Sequence, residues 1–118
     1  MQIRKIVELL NAKVLCGEDH LGGVVHSACG CDMMSDVLAF VKEQAVLLTG
    51  LCNPQVVRTA MMMDMRCIVF VRGKMPSEDI IRLADDAGLV VLTSSERMYV
   101  ACGKLYANGL SGGGLAHE

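Results

Sequence analysis

The chain has 118 residues and a formal net charge of −2, from 11 Lys+Arg against 13 Asp+Glu, with 53% hydrophobic and 20% charged residues. That is the size of one domain, since single domains usually hold roughly 100–150 residues, and the apolar content excludes intrinsic disorder. The near-neutral charge supplies no basic field for nucleic acid or an anionic membrane, and no apolar run reaches the roughly 18 residues a membrane-spanning helix needs.

The opening stretch carries Ile3, Ile6, Val7 and Leu10, the stripe of an amphipathic helix that Asn11 stops. Arg4, Lys5 and Glu8 interrupt it, so it does not read as a secretory signal. Lys13 to Cys16 reads as a short strand, and Gly17 to Gly23 as a polar loop. Val24 to Ala28 reads as a second strand that ends at a Cys29-Gly30-Cys31 turn. Asp32 is placed to cap a helix through Met33, Val37, Leu38 and Val41.

The next part is more regular. Ala45 to Thr49 is a continuous apolar run, and Asn53-Pro54 then marks an N-cap with proline at the first helical position. Val56, Val57, Ala60 and Met61 form that helix's predicted apolar face. Cys67 to Val71 is again apolar, Arg72-Gly73-Lys74 turns the chain, and Ser77 caps a helix with Ile80, Ile81, Leu83 and Ala84 that Gly88 ends. Leu89 to Leu92 is a further apolar strand. Ser94 or Ser95 then caps a last helix with the stripe Met98, Ala101, Cys102 and Leu105.

From Ala45 onward one unit therefore recurs: apolar strand, short loop, capped helix, with Leu47, Val69 and Val91 at equivalent points 22 residues apart. Strands that are apolar throughout are covered on both faces, and strands joined through helices run parallel. The fold class is an α/β three-layer sandwich with a mainly parallel sheet of about five strands. Residues 1–110 make one domain, the two N-terminal strands form an edge, and 111–118 is a flexible C-terminal tail. Aromatic residues are 3% of the chain and Trp is absent, so aliphatic side chains fill the core. With a mean hydropathy of +0.42, some apolar surface is expected to meet a second copy, as a homodimer.

The six cysteines, Cys16, Cys29, Cys31, Cys52, Cys67 and Cys102, match no disulfide framework and read as reduced thiols of a cytoplasmic protein. Cys29 and Cys31, with His26 and Cys52 nearby, offer an alternative metal or iron–sulfur site. Two thiols do not close a tetrahedral shell, and no second Cys/His pair at finger spacing follows. Met61, Met62, Met63 and Met65 offer a soft apolar surface for self-association or a protein partner. His20 and His117 fall in loop and tail.

In open parallel sheets, ligands bind beyond the carboxyl ends of the strands. Three loops meet there: Thr49-Gly50-Leu51-Cys52-Asn53, Val71-Arg72-Gly73-Lys74 and Thr93-Ser94-Ser95. Each leads to a helix N-terminus, whose free N–H groups favour an anion. Thr49, Gly50, Asn53, Arg72, Gly73, Lys74, Ser94 and Ser95 are thus the candidate ligand-binding residues, with Arg72 and Lys74 supplying charge. No phosphate loop, nucleophile elbow or HExxH motif is present, so no catalytic residue is assigned.

The run LLTGLCNPQVVRTAMMMDMRCIVFVRGKMPSEDIIRLADDAGLVVLTSSERMYVACGKL, with GVVHSACGCDMMSDVLAF before it, resembles a DRTGG domain over about Lys13 to Leu110. The family's Asp-Arg would fall near Leu51-Cys52, where neither residue is kept. Its Thr-Gly-Gly would fall at Arg72-Gly73-Lys74 or one position earlier, where Gly73 alone remains. Such domains are known from regulatory regions, beside CBS domains in some pyrophosphatases, and as relatives of the N-terminal domain of HPr kinase/phosphorylase. The resemblance implies a non-catalytic sensor or assembly domain, with an adenine nucleotide as the ligand and a dimer as the assembly. Small stand-alone members resemble accessory proteins of anaerobic bacteria, some beside iron-hydrogenase genes.

Overall fold

A computed structural model describes residues 1–40 and 44–113, so Val41 and His117 lie outside the described residues. Its elements are α1 (Ile3–Leu10), β1 (Lys13–Cys16), a short 3-10 turn (Glu18–His20), β2 (Ser27–Gly30), α2 (Met34–Phe40), β3 (Ala45–Thr49), α3 (Pro54–Met62), β4 (Cys67–Phe70), α4 (Glu78–Asp86), β5 (Val90–Thr93) and α5 (Met98–Ala107). The sheet order is β1-β5-β4-β3-β2. β2 to β5 run parallel and β1 lies antiparallel against β5. This is the expected three-layer α/β sandwich, except that the two N-terminal strands close opposite edges of the sheet rather than sharing one.

Every residue of β3, β4 and β5 is buried, because helices cover both faces. One layer is α2, α3 and α4, packed on Leu47, Ile68 and Val91. The other is α1 and α5, packed on Val46, Leu48, Val69 and Leu92. Leu47, Ile68 and Val91 are true register partners, so the repeat offset is 21 and then 23 residues. The even spacing of Leu47, Val69 and Val91 is thus off by one residue at β4. In a strand that single step carries a side chain to the opposite face.

Sequence signals fix several helix ends. Asn53 Oδ1 accepts from Val56 N at 3.3 Å, with Pro54 opening α3, and Ser77 Oγ accepts from Ile80 N at 3.4 Å at the start of α4. Beyond α4, Gly88 takes φ 76. There Gly88 N donates to Asp85 O and Leu89 N to Ala84 O, both at 3.0 Å, the Schellman pattern that a left-handed glycine makes possible. Asn11 ends α1 at φ 47.

Other expectations fail for physical reasons. β2 begins three residues later than predicted, so Cys29 and Gly30 lie in the strand and not in a turn. The outer edge of β2 meets the segment that follows α5, where Ala28 N donates to Ser111 O at 3.0 Å. Of the expected tail, 114–118 lies outside the described residues. Asp32 does not cap α2, because its carboxylate is bonded across to the next strand's end. Neither Ser94 nor Ser95 caps α5, whose N-cap position is Arg97. Met61 is 49% exposed, and Thr59 takes its place on the buried face of α3. No helix among the described residues is long and apolar enough to cross a membrane.

Candidate functional site

The parallel run of β2 to β5 brings their carboxyl ends to one edge, where four loops gather. Within β2 and β3 an offset of 18 residues pairs Ser27 with Ala45 and Gly30 with Leu48. Carried two residues further, it sets Asp32 opposite Gly50. Asp32 Oδ1 there accepts from the Gly50 amide at 2.7 Å and from the Thr49 hydroxyl at 2.9 Å. Thr49 Oγ1 in turn accepts from Leu51 N at 3.1 Å, which fixes the start of the β3–α3 loop. The Gly50 amide holds the Asp32 carboxyl below the ordinary carboxylate range. Partial burial opposes this, and the Thr49 hydroxyl and the Arg72 guanidinium add to it.

The β4–α4 loop brings the cation. Arg72 and Gly73 take φ 59 and 68, and Lys74 N donates to Val71 O at 3.2 Å. This is a tight turn with both central residues left-handed. That conformation costs a non-glycine residue such as Arg72 roughly 1 kcal/mol, and the sheet edge holds it. Arg72 N donates to Glu96 O at 2.7 Å and Gly73 N to Ser94 O at 2.8 Å, while the Thr93 hydroxyl donates to Lys74 O at 2.7 Å. The turn lays the Arg72 guanidinium against Gly50, where a β-carbon would collide with it. Lys74 is exposed, and its charge reaches Cys52, drawing down a thiol that burial pushes up more strongly.

The expected ligand-binding residues therefore divide. Arg72, Gly73, Lys74 and Ser95 are exposed at this edge, and the Gly50 amide faces it with its hydrogen taken by Asp32. Thr49 is fully buried and committed to Asp32, and Asn53 is committed to capping α3. Ser94 is 2% exposed; its hydroxyl donates to Leu10 O at 2.8 Å and accepts from Glu96 N at 3.2 Å. Glu96 also pairs with Lys104 of α5 at 2.6 Å. Asp32 and Glu96 were missed by sequence reasoning. Placing β2 at residues 27–30 would have aligned Asp32 with Gly50 and revealed the first.

Cys31 and Cys52 border this cluster in its loops. All six cysteines are free. Cys31 Sγ donates to Met33 O at 3.4 Å and accepts from Met33 N at 3.3 Å, so it shapes the turn into α2. The Cys29 thiol is pushed up to about 11, first by burial and then by Cys31, Cys102 and Asp36. Cys29, Cys31 and Cys52 all pack against the α2–α3–α4 layer. Among the described residues, however, no three His, Cys, Asp or Glu side chains converge to hold a metal ion.

The class these features define is an open α/β domain whose polar groups are concentrated in loops at one sheet edge. Residues 5–106 match the DRTGG domain, and the chain belongs to that family. The solved structures it is similar to include the CBS and DRTGG domains of the regulatory region of Clostridium perfringens pyrophosphatase, complexed with the activator diadenosine tetraphosphate. The TM-score there is 0.71 at 18% identity, over 88% of this chain and 45% of that one. At that identity the likeness is one of fold, and this chain spans less than half of the neighbour's length. No curated protein matches the chain.

Proposed function

We propose that this chain is a non-catalytic regulatory domain that binds a small phosphate-bearing anion, such as an adenine nucleotide, at the carboxyl edge of its sheet. One observation carries the reading: the Arg72 guanidinium lies against the α-carbon of Gly50 at the carboxyl edge of the sheet, with exposed Lys74 two residues further on. Two exposed cations on one tight turn are what phosphate oxygens pair with, and the Gly50 amide beside them is held by Asp32. Lys74 supplies a second charge, and Gly73 and Ser95 complete the exposed rim. A DRTGG-containing regulatory region that takes a dinucleotide activator is consistent with this ligand class. Six free cysteines fit a reducing, cytoplasmic compartment.

The test is calorimetric titration of the full chain with ATP and with diadenosine tetraphosphate. Arg72→Ala/Lys74→Ala is expected to weaken binding by at least about tenfold, the loss of charge-assisted contacts, with the fold intact by circular dichroism. Unchanged affinity in the double variant removes this site.

A purely protein-binding or self-associating role is a second reading, favoured by exposed apolar side chains. Met33, Met61 and Met62 are 60%, 49% and 74% exposed, on the neighbouring helices α2 and α3 or the turn before them. Met65 does not share that surface, because it is buried at 3%. Sedimentation of the full chain distinguishes the assembly: a dimer is expected, and Met61→Glu/Met62→Glu is expected to give monomer. A monomeric parent chain would remove it.

A further inference from the structure

We propose that Asp32 is an internal competitor at the carboxyl edge, holding the donors that an incoming phosphate group would use and being displaced by it. This rests on the anion-binding reading above and adds a mechanism to it. Three groups that make an oxyanion receptor are gathered at one point: the Gly50 amide, the Thr49 hydroxyl and the Arg72 guanidinium. The first two are already aimed at a single oxygen, Asp32 Oδ1, at 2.7 and 2.9 Å. The carboxylate arrives from another segment of chain, 18 residues away, so these bonds are a tertiary contact that can open without breaking a helix or strand. A tethered competitor acts at a high effective concentration, on the order of millimolar. Its charge also repels an incoming anion.

Displacement has a mechanical consequence. Asp32 lies two residues before α2, in the connection from β2. Cys31 N is held to Leu48 O at 3.0 Å, so the backbone upstream of Asp32 is fixed to the sheet. Release of the carboxylate therefore loosens the entry to α2, where the Cys31 Sγ contacts to Met33 remain, and leaves the strand in place. The residues beside that entry include Met33, and α2 itself carries Leu38, 40% exposed.

The experiment titrates ATP and inorganic pyrophosphate separately into the 15N-labelled full chain, following the Gly50 amide signal, for the parent, Asp32→Ala and Asp32→Asn. Asp32→Asn keeps the shape and removes the charge, so it covers the case in which the alanine variant folds poorly. Both variants are expected to bind about tenfold more tightly than the parent, with the Gly50 signal shifting in each. Parent binding that the variants match or exceed in weakness overturns the competitor and leaves the anion site standing. If neither parent nor variants bind either probe at millimolar concentration, the anion site is overturned and the competitor falls with it. Response to pyrophosphate equal to that to ATP assigns the site to the phosphate group, whereas response to ATP alone adds the nucleoside.

Discussion

The hydroxyl of Ser94 donates to the carbonyl oxygen of Leu10 at 2.8 Å, across 84 positions of the chain. Leu10 is the last residue of α1, whose terminal carbonyls have no partner within the helix. One hydroxyl therefore closes a helix of one layer onto the end of the central sheet, and its second role is to accept from Glu96 N. Ser94→Ala is expected to leave the Leu10 carbonyl buried without this donor and to cost about 1–3 kcal/mol in a urea titration. Its affinity for nucleotide is expected to be unchanged. A loss of affinity with no loss of stability would return Ser94 to the ligand site.

Two glycines make a second, contrasting test. At Gly50 the obstacle to a β-carbon is the far end of the Arg72 side chain, which can swing away. Gly50→Ala is therefore expected to fold with a cost below about 1 kcal/mol while moving the guanidinium off the site and weakening anion binding. At Gly17 the backbone stands at φ 83, and a β-carbon would meet Leu89 O at 2.6 Å and Val90 Cα at 2.7 Å. Neither atom can move without disturbing β5, so Gly17→Ala is expected to cost about 3 kcal/mol. Equal midpoints for the two variants in denaturant would contradict this account.

The parts of the fold legible from sequence are those where a local signal and the tertiary structure agree. Asn53-Pro54, Ser77 and Gly88 mark helix ends because their chemistry acts within a few residues of itself. The apolar runs at 45–49 and 67–71 read as strands because both sheet faces are covered. Asp32 and Ser94 were misread as caps for one shared reason. Each is a good N-cap type just before a helix, yet a stronger partner lies across the sheet, and nothing local in the sequence shows it. The register of β4 failed similarly, since an even 22-residue spacing looks regular while the pairing follows 21 and 23. Of the candidate site, Arg72, Gly73, Lys74 and Gly50 lie in the loops at the carboxyl edge, as strand order predicts; their relation to Asp32 is a tertiary one that no local pattern shows.

Asp32 also makes an acid-side prediction. Its carboxyl is held below the ordinary carboxylate range by the Gly50 amide, with Thr49 and Arg72 adding to the effect. A depressed folded-state pKa contributes stability that is present above the unfolded value, about 3.9, and is lost as pH falls through the folded one. The contact is expected to be intact at neutral pH and to weaken below about pH 4. Because the residue is exposed, water screens it, and the loss is expected to stay below about 1 kcal/mol. Comparing urea midpoints of the parent and Asp32→Asn at neutral and acid pH isolates this contribution. If the difference between them does not shrink in acid, the carboxylate is not the stabilising group.

The thiols behave in the opposite sense, and they bear on the metal reading. Burial pushes up Cys67, which is completely enclosed in the α1–α5 layer, and pushes Cys29 up to about 11. Raised values mean that the neutral thiol is favoured in the folded state. The associated stability is whole below the unfolded value, about 8.5, and is lost as pH rises through the folded ones. Thermal unfolding under reductant is therefore expected to fall off above about pH 9, with Cys67→Ala showing a shallower decline despite a lower starting midpoint. An identical decline in that variant would assign the alkaline loss elsewhere. Metals bind the thiolate, so Cys29 would have to lose its proton to ligate one. Iodoacetamide at pH 8 is expected to leave Cys29 and Cys67 unmodified in the native protein and to label both in urea, as read by peptide mass. Rapid native labelling of Cys29 would show a stabilised thiolate and reopen the Cys29–Cys31 pair as a metal or redox site.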